Sequence, residues 1–283
     1  MGWQSCYIHK KIKYWKMNID GNNTNPKISI ITPCFNSKRY IEATIKSILQ
    51  QEYSNIEYII IDGGSTDGTI DIIKKYDKKI AYWISETDRS MYDAINKGLI
   101  KASGEIIGIL NSDDILFDNK TISYIADSFN KHSNTVGIFG DLITFNEYNK
   151  KYRKVFKVSF KSLLISGKGT FLPHPTVYLR KEIYQFFFYD LKYKYAADYD
   201  FLLRILKKHQ LTYINKPIVK FRVHEESITG KNLLKKEVRI ILKKNKRNKI
   251  NFIIRNTVYY WLWGKYALLN GVYRSVIKRS STL

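Results

Sequence analysis

The chain has 283 residues, 44% of them hydrophobic, and 48 Lys/Arg against 25 Asp/Glu give it a net charge of +23. That length buries a full core and suits one large α/β domain with an appendage. Two cysteines, Cys6 and Cys34, exclude a disulfide framework; five scattered histidines show no zinc-ligand spacing; and no run of about 18 uninterrupted apolar residues is present to span a membrane.

The charge is uneven. From Lys231 onward there are fourteen Lys/Arg against one acid, Glu237, so more than half of the excess lies in the last 53 residues. A basic segment seeks polyanions, either nucleic acid or an anionic membrane face. At the other end, Met1 to Asn25 lacks an apolar core of signal-peptide length and closes in the polar stretch Asp20 to Pro26, so it reads as an extension followed by a linker.

From Lys27 short β-branched runs alternate with amphipathic segments of helical length, the pattern of βαβ units. Strands are predicted at Ile28 to Thr32, Ile56 to Ile61, Ile80 to Ser85, Ile106 to Leu110 and Val136 to Asp141. Helices are predicted at Tyr40 to Gln50, Thr69 to Tyr76, Tyr92 to Ala102 and Lys120 to Phe129. After Asp141 the rhythm breaks, with a loop containing Gly167 and Gly169 and then Pro173-His174-Pro175. A helix from about Asp198 to Lys208 and a strand carrying Phe221-Arg222-Val223-His224 close the core. Residues 1–26, 27–230 and 231–283 are thus expected to be an extension, the main domain and a basic, aromatic-rich helical tail.

Two adjacent acids, Asp113 and Asp114, follow the buried run Ile106 to Leu110. Like charges this close need a cation or hydrogen-bond donors, and hard cations such as Mg²⁺ or Mn²⁺ take carboxylate oxygens and share their sphere with substrate phosphates. The plainer alternative is that the pair caps the next helix. Asp62 ends a strand and can accept a hydrogen bond from a base or ribose at the carboxyl edge of the sheet, whereas Asp67 or Thr69 suits a helix cap. The turn at 62–69 has neither a dinucleotide fingerprint nor a phosphate loop of the Gly-Lys-Ser/Thr type.

Taken in order, the blocks TPCFN (32–36), IIDGGSTDGT (60–69), SETDRSMYDAINKG (85–98), GEIIGILNSDD (104–114), FGD (139–141) and AADYDFLLR (196–204) resemble the family-two inverting glycosyltransferases of GT-A fold. The likeness is greatest to the bacterial branch that builds surface polysaccharides and lipid-linked oligosaccharides. It implies a Rossmann-like α/β fold, a mixed, mostly parallel sheet flanked by helices. It also implies a donor site for a nucleotide-sugar, UDP-linked by preference, drawn from Thr32, Pro33, Asn36, Asp62, Gly64, Asp88, Asp93, Asn96, Asn111 and Asp113. Asp114 would hold Mg²⁺ or Mn²⁺ on the diphosphate, with His224 closing over it, and Asp198 would be the general base, with Asp200 its competitor. The implied acceptor is a hydroxyl of a glycan or lipid-linked molecule, and the implied setting is the cytoplasmic face of the cell membrane. Departures from the family pattern are Gly63 where many relatives have a second acid, Ser90 where glycine is usual, and the Phe186 to Tyr189 run, which lacks the glycine that often precedes the base motif.

The segment Phe252 to Ile277, with Tyr259-Tyr260-Trp261-Leu262-Trp263 flanked by Arg255 and Lys265, suits a helix lying in the headgroup region of anionic lipid, or else an amphipathic helix packed on the core. Nucleic-acid binding is disfavoured, because the basic residues lie mostly outside the motif-bearing core and no nucleic-acid-binding signature occurs. A nucleotidyltransferase would want a Gly-rich phosphate loop with a basic residue early in the chain, which is missing. An inactive nucleotide-sugar-binding protein at the membrane is the other alternative.

Overall fold

The structure is a computed structural model that describes residues 25–145, 153–154, 172–206, 208–223 and 232–244. The N-terminal extension up to residue 24, the Gly167 and Gly169 loop, His224 and the aromatic segment from Phe252 lie outside the described residues.

The alternating runs form parallel βαβ units. β1 (Ile28–Cys34), β2 (Ile56–Asp62), β3 (Tyr82–Ser85) and β4 (Ile106–Ile109) are joined through α1 (Ile41–Leu49), α2 (Thr69–Lys75) and α3 (Met91–Lys101). Strand side chains point alternately to the two faces. Ile31, Ile59, Ile61, Ile107 and Ile109 meet Tyr92, Ile95 and Leu99 of α3 on one face. Ile28, Ile30, Tyr58 and Ile60 meet Ile41, Ile45 and Ile48 of α1 and Ile122, Ile125 and Phe129 of α4 (Thr121–Lys131) on the other. Helix α3 lies so close to the sheet that a Cβ at Gly98 would stand 2.4 Å from Ile31 Cγ2.

Beyond β4 the sheet becomes mixed. β5 (Ile115–Leu116), β6 (Gly137–Phe145), β7 (Arg153–Lys154), β8 (Tyr178–Arg180) and β9 (Thr212–Arg222) complete the order β3-β2-β1-β4-β8-β6-β9-β5, with β7 on β6. β8 runs antiparallel to both β4 and β6, β6 and β9 are parallel, and β5 is antiparallel to β9. Three more helices follow: α5 (Lys181–Tyr184), α6 (Ala197–Leu206) and α7 (Asn232–Lys244). Val238 and Ile241 of α7 are buried in the same cluster as Phe201, Leu202 and Ile205 of α6. The first helix of the basic segment therefore packs on the core. Among the described residues no helix is long and apolar enough to cross a membrane.

β1 is flanked by β2 on one side and β4 on the other, so chain order reverses at its carboxyl end, where open α/β sheets bind ligands. Cys34, Asp62 and Ser85 are level in register there. Leu110 N–H donates to Ile31 O at 3.0 Å, which brings the loop 111–114 out beside them.

Candidate active site

The loop after β1 and the turn after β2 are knitted together. Asn36, with a left-handed φ of 47°, accepts Thr66 N–H on Oδ1 at 3.0 Å and donates its own N–H to Ser65 Oγ at 2.8 Å. Asp62 lies beneath and is fully buried. Its Oδ2 accepts Gly64 N–H at 3.1 Å, Ser65 N–H at 2.9 Å and the Ser85 hydroxyl at 2.6 Å, and its Oδ1 accepts the Ser65 hydroxyl and the Cys34 thiol. A carboxylate with this many internal donors has no exposed lone pair for a base or ribose, and this corrects the ligand contact expected of Asp62. It fixes the Gly64 turn (φ 84°) and holds the ends of three strands in place. Burial, with Asp62 alongside, pushes the Cys34 thiol well up, so it stays a neutral donor. Thr32 is likewise buried and accepts the Tyr58 hydroxyl at 3.3 Å, and Pro33 is buried beside it, so both shape the strand and do not face the cleft. The helix cap expected of Asp67 or Thr69 is not formed: Gly68, with a left-handed φ of 97°, is the N-cap and no side chain caps the helix, while Asp67 closes the turn before it, Oδ1 accepting Thr69 N–H at 3.0 Å and Oδ2 accepting Lys38 N–H at 3.0 Å.

Asp88 is the carboxylate that faces this turn. Its side chain is 6% exposed, and Lys97 Nζ lies 2.5 Å from Oδ1. Among the described residues Oδ2 has no hydrogen-bond partner, and it stands 3.4 Å from where a Cβ on Gly63 would be. Burial raises the Asp88 pKa, and Lys97 opposes the rise. The missing acid at position 63 thus leaves room that Asp88 borders. Phe35, 62% exposed, would be equally close to that Cβ. In the sequence Phe35 is marked only as a large aromatic directly after a strand, and its exposure is seen in the structure alone.

Helix α3 starts with Ser90, which accepts Asp93 N–H at 3.3 Å, while Asp93 Oδ2 accepts Arg89 N–H at 3.1 Å. Ser90 has an extended backbone (φ −171°), so serine in place of the family's glycine carries no strain. Asp93 holds the turn that presents Asp88. Asn96 is engaged elsewhere: Nδ2 donates to Tyr189 O at 2.9 Å and Oδ1 accepts Tyr189 N–H at 3.0 Å. It braces the segment before α6 through both ends of its amide.

The acid pair divides its tasks. Asp114 is fully buried; Oδ1 accepts Arg222 N–H at 3.0 Å and Oδ2 accepts Asn111 Nδ2 at 3.0 Å, while its main-chain oxygen accepts the Thr44 hydroxyl. Burial and the neighbouring Asp113 push its carboxyl well above the usual range. Asp114 is thus buried with one protein donor on each carboxylate oxygen, Asn111 supplying one of the two, and it is the less exposed member of the pair. Asp113 is the half-buried, accessible member of the pair, and Arg222 Nε holds its main-chain oxygen at 3.0 Å. A contact of 2.8 Å between the Ser37 and Ser112 hydroxyls ties this loop to the one after β1. No group of three metal-ligating side chains occurs among the described residues. One accessible carboxylate nonetheless fits Mg²⁺ or Mn²⁺, which keep waters and take their remaining oxygens from substrate phosphates.

Asp198 sits in the first turn of α6, half-buried. Oδ1 accepts the Tyr92 hydroxyl at 3.0 Å and Tyr199 N–H at 2.8 Å; Oδ2 accepts nothing from the described residues. Burial and the Asp198 charge push the Tyr92 pKa well up, so it remains a donor. Asp200 is buried and engaged by Arg204 Nε at 2.7 Å, which removes it as a rival. Behind them His174 Nε2 lies 2.6 Å from the Tyr189 hydroxyl, and burial lowers its pKa, so the imidazole is neutral. Tyr92 links the two halves: it follows Asp88 on α3 and reaches across 106 residues to Asp198.

This fold, with carboxylates gathered at the carboxyl ends of β2, β3 and β4, defines a GT-A-type nucleotide-sugar transferase architecture. Residues 29–188 match the model of glycosyl transferase family 2, and the chain belongs to that family. It is 29% identical over 183 residues to a PGL/p-HBAD biosynthesis glycosyltransferase of Mycobacterium bovis, covering 63% of this chain and 69% of the relative. It is 29% identical over 226 residues to an uncharacterized glycosyltransferase of Rickettsia typhi, covering 74% and 68%. Among solved structures it is similar to S. aureus TarS 1–349 in complex with UDP-GlcNAc (TM-score 0.63, 20% identity, 76% of this chain), and it spans 65% of that chain, less than two thirds. It is also similar to the mannosyltransferase PcManGT of Pyrobaculum calidifontis in complex with GDP-Man and Mn²⁺ (TM-score 0.58, 17% identity, 91% of this chain and 76% of that one). These likenesses establish the fold.

Proposed function

We propose that the chain is a metal-dependent, inverting glycosyltransferase that moves a sugar from a UDP-sugar to a hydroxyl of a glycan or lipid-linked acceptor in bacterial surface-polysaccharide synthesis. It would work at the cytoplasmic face of the membrane, with the basic segment that follows the core on anionic lipid. The observation that carries the reading is the state of Asp198 at the head of α6: one oxygen is anchored by two donors, and the other accepts nothing from the described residues.

In this reading Phe35 stacks on the base and the unpartnered Asp88 Oδ2 accepts from the nucleoside, while the Asn36 and Gly64 loops shape the cleft. Asp113 holds Mg²⁺ or Mn²⁺, which when bound supplies Lewis-acid stabilisation of the diphosphate leaving group. Asp198 Oδ2 takes the proton of the acceptor hydroxyl as its oxygen attacks the anomeric carbon on the face opposite the diphosphate, and a single displacement inverts that carbon. The UDP-GlcNAc held by TarS and the GDP-Man and Mn²⁺ held by PcManGT support a nucleotide-sugar and a divalent cation.

The test is Asp198→Asn, which keeps a carbonyl oxygen for Tyr92 but cannot take a proton. Release of nucleoside diphosphate from UDP-, GDP- and dTDP-sugars with Mn²⁺ should fall by about 10² to 10⁴-fold, the usual worth of a general base. Binding of UDP should change less than about twofold. Turnover equal to that of the wild type would remove Asp198 from the mechanism.

A further inference from the structure

Glu237, the lone acid among the basic residues from Lys231 onward, reaches out of α7 to the segment that leads into α6. Its Oε1 accepts Lys194 N–H at 2.9 Å, and its Oε2 accepts Tyr195 N–H at 2.8 Å and Ala196 N–H at 2.9 Å. Successive main-chain N–H groups pointing one way attract an anion. A helix start usually meets that need with a local Ser, Thr, Asp or Asn, but here the residues are Lys194-Tyr195-Ala196-Ala197, with no such side chain. The carboxylate comes instead from 41 to 43 residues further along. Its helix is anchored by Val238 and Ile241, next in sequence and one turn on, both buried against α6.

The clamped segment also touches the base. The carbonyl of Tyr195 lies 3.2 Å from the Tyr92 hydroxyl, and that hydroxyl donates to Asp198 Oδ1. Glu237 grips one side of the Tyr195 peptide and Tyr92 the other, and Asp198 is three residues on. We propose that Glu237 is a positioning residue for Asp198, which makes α7, outside the family-matched span, part of the catalytic unit. This rests on the reading of Asp198 as the base. A purely structural role for Glu237 would cost stability and leave the turnover of the folded enzyme alone; positioning acts on turnover.

The experiment compares Glu237→Ala, Glu237→Gln and Glu237→Asp in the full chain, well below their melting temperatures. It follows nucleoside diphosphate release from UDP-, GDP- and dTDP-sugars with Mn²⁺ and water as acceptor. Misplacement of a reacting group by about 1 Å costs up to about 10²-fold, so Glu237→Ala should lower kcat by about 10 to 10²-fold with donor KM within about twofold. Glu237→Gln, which keeps an acceptor oxygen at the same reach, should recover kcat to within about threefold. In an Asp198→Asn background Glu237→Ala should have no further effect, since there is no base left to place. If Glu237→Ala does not fold, Glu237→Asp, one methylene shorter, carries the same expectation of lower kcat at unchanged KM. Wild-type kcat in a folded Glu237→Ala or Glu237→Asp, or equal loss in the Asp198→Asn background, would overturn the proposal while the proposed function stands. No turnover by the wild type from any donor would overturn both.

Discussion

Replacing Asp114 and Asp113 in turn separates the structural acid from the ligand-facing one. Asp114→Ala leaves two donors, the buried Arg222 N–H and the half-buried Asn111 Nδ2, without the oxygens they reach at 3.0 Å. Each orphaned group costs about 1–3 kcal/mol, or about 2–6 kcal/mol together. Removing a buried charge that Asp113 repels offsets part of this, so the lower half of that range is expected. At about 2–4 °C per kcal/mol for a domain of this size, melting should fall by about 4–16 °C. Asp113→Ala keeps the main-chain oxygen that Arg222 Nε holds, and at a half-buried site it should move stability by only about 0.5 kcal/mol. Thermal melting with UDP, with and without Mn²⁺, reads the other half. Saturation at about 100 times Kd adds about 2.7 kcal/mol to the wild type. Asp113→Ala should lose the Mn²⁺-dependent part of that gain, and Asp114→Ala should keep it from a lower baseline. The opposite pattern, an unshifted baseline with no Mn²⁺ effect in Asp114→Ala and a retained effect in Asp113→Ala, would refute the division of roles.

Glu57 gives a pH signature: burial would raise its pKa, but donors on Ser103 and Ser29, with Lys27 alongside, outweigh that and hold it at about 2. A folded pKa below the unfolded value of about 4.3 adds stability above that pH and loses it as pH falls through about 2. Glu57→Gln should therefore be less stable than the wild type at pH 7 by chemical denaturation, with the gap closing across this window; a gap independent of pH would contradict it. Gly108→Ala should destabilise by about 1–3 kcal/mol through overpacking, since its Cβ would lie 2.2 Å from Cε1 of the fully buried Tyr178 ring. An unchanged urea midpoint would show that β4 and β8 have slack that the structure lacks.

The first half of the sheet was legible because parallel strands buried on both faces read as unbroken β-branched runs between amphipathic helices. Each of β1 to β4 falls on its predicted run, although β1 extends two residues past Thr32 to Cys34 and β3 begins at Tyr82, after a single 3-10 turn. In the second half only β6 falls on a predicted run, Val136 to Asp141. β5 has two residues and β8 three, too short for a period, and β9 begins nine residues before the predicted Phe221 segment and runs through Pro217. In the site, residue type announced the chemistry but not the direction each side chain faces. Asp113 and Asp114 are chemically identical neighbours, told apart by an N–H 108 residues away. Asp62 looked open at a strand end, and three nearby N–H and O–H groups of the same turn close over it. Tyr92 and Glu237 act through contacts between remote segments, which no local spacing encodes, although Glu237 stood out as an acid alone among bases.

β9 enters the sheet late and runs beside β6, and its last residue, Arg222, fastens both acids of the loop after β4: its amide holds the carboxylate of Asp114 and its guanidinium the carbonyl of Asp113. The stretch that defines kinship with the family stops at residue 188. A protein cut to that stretch would retain the paired aspartates and lose the strap that orients them, so for this molecule the unit of ancestry is smaller than the unit of folding.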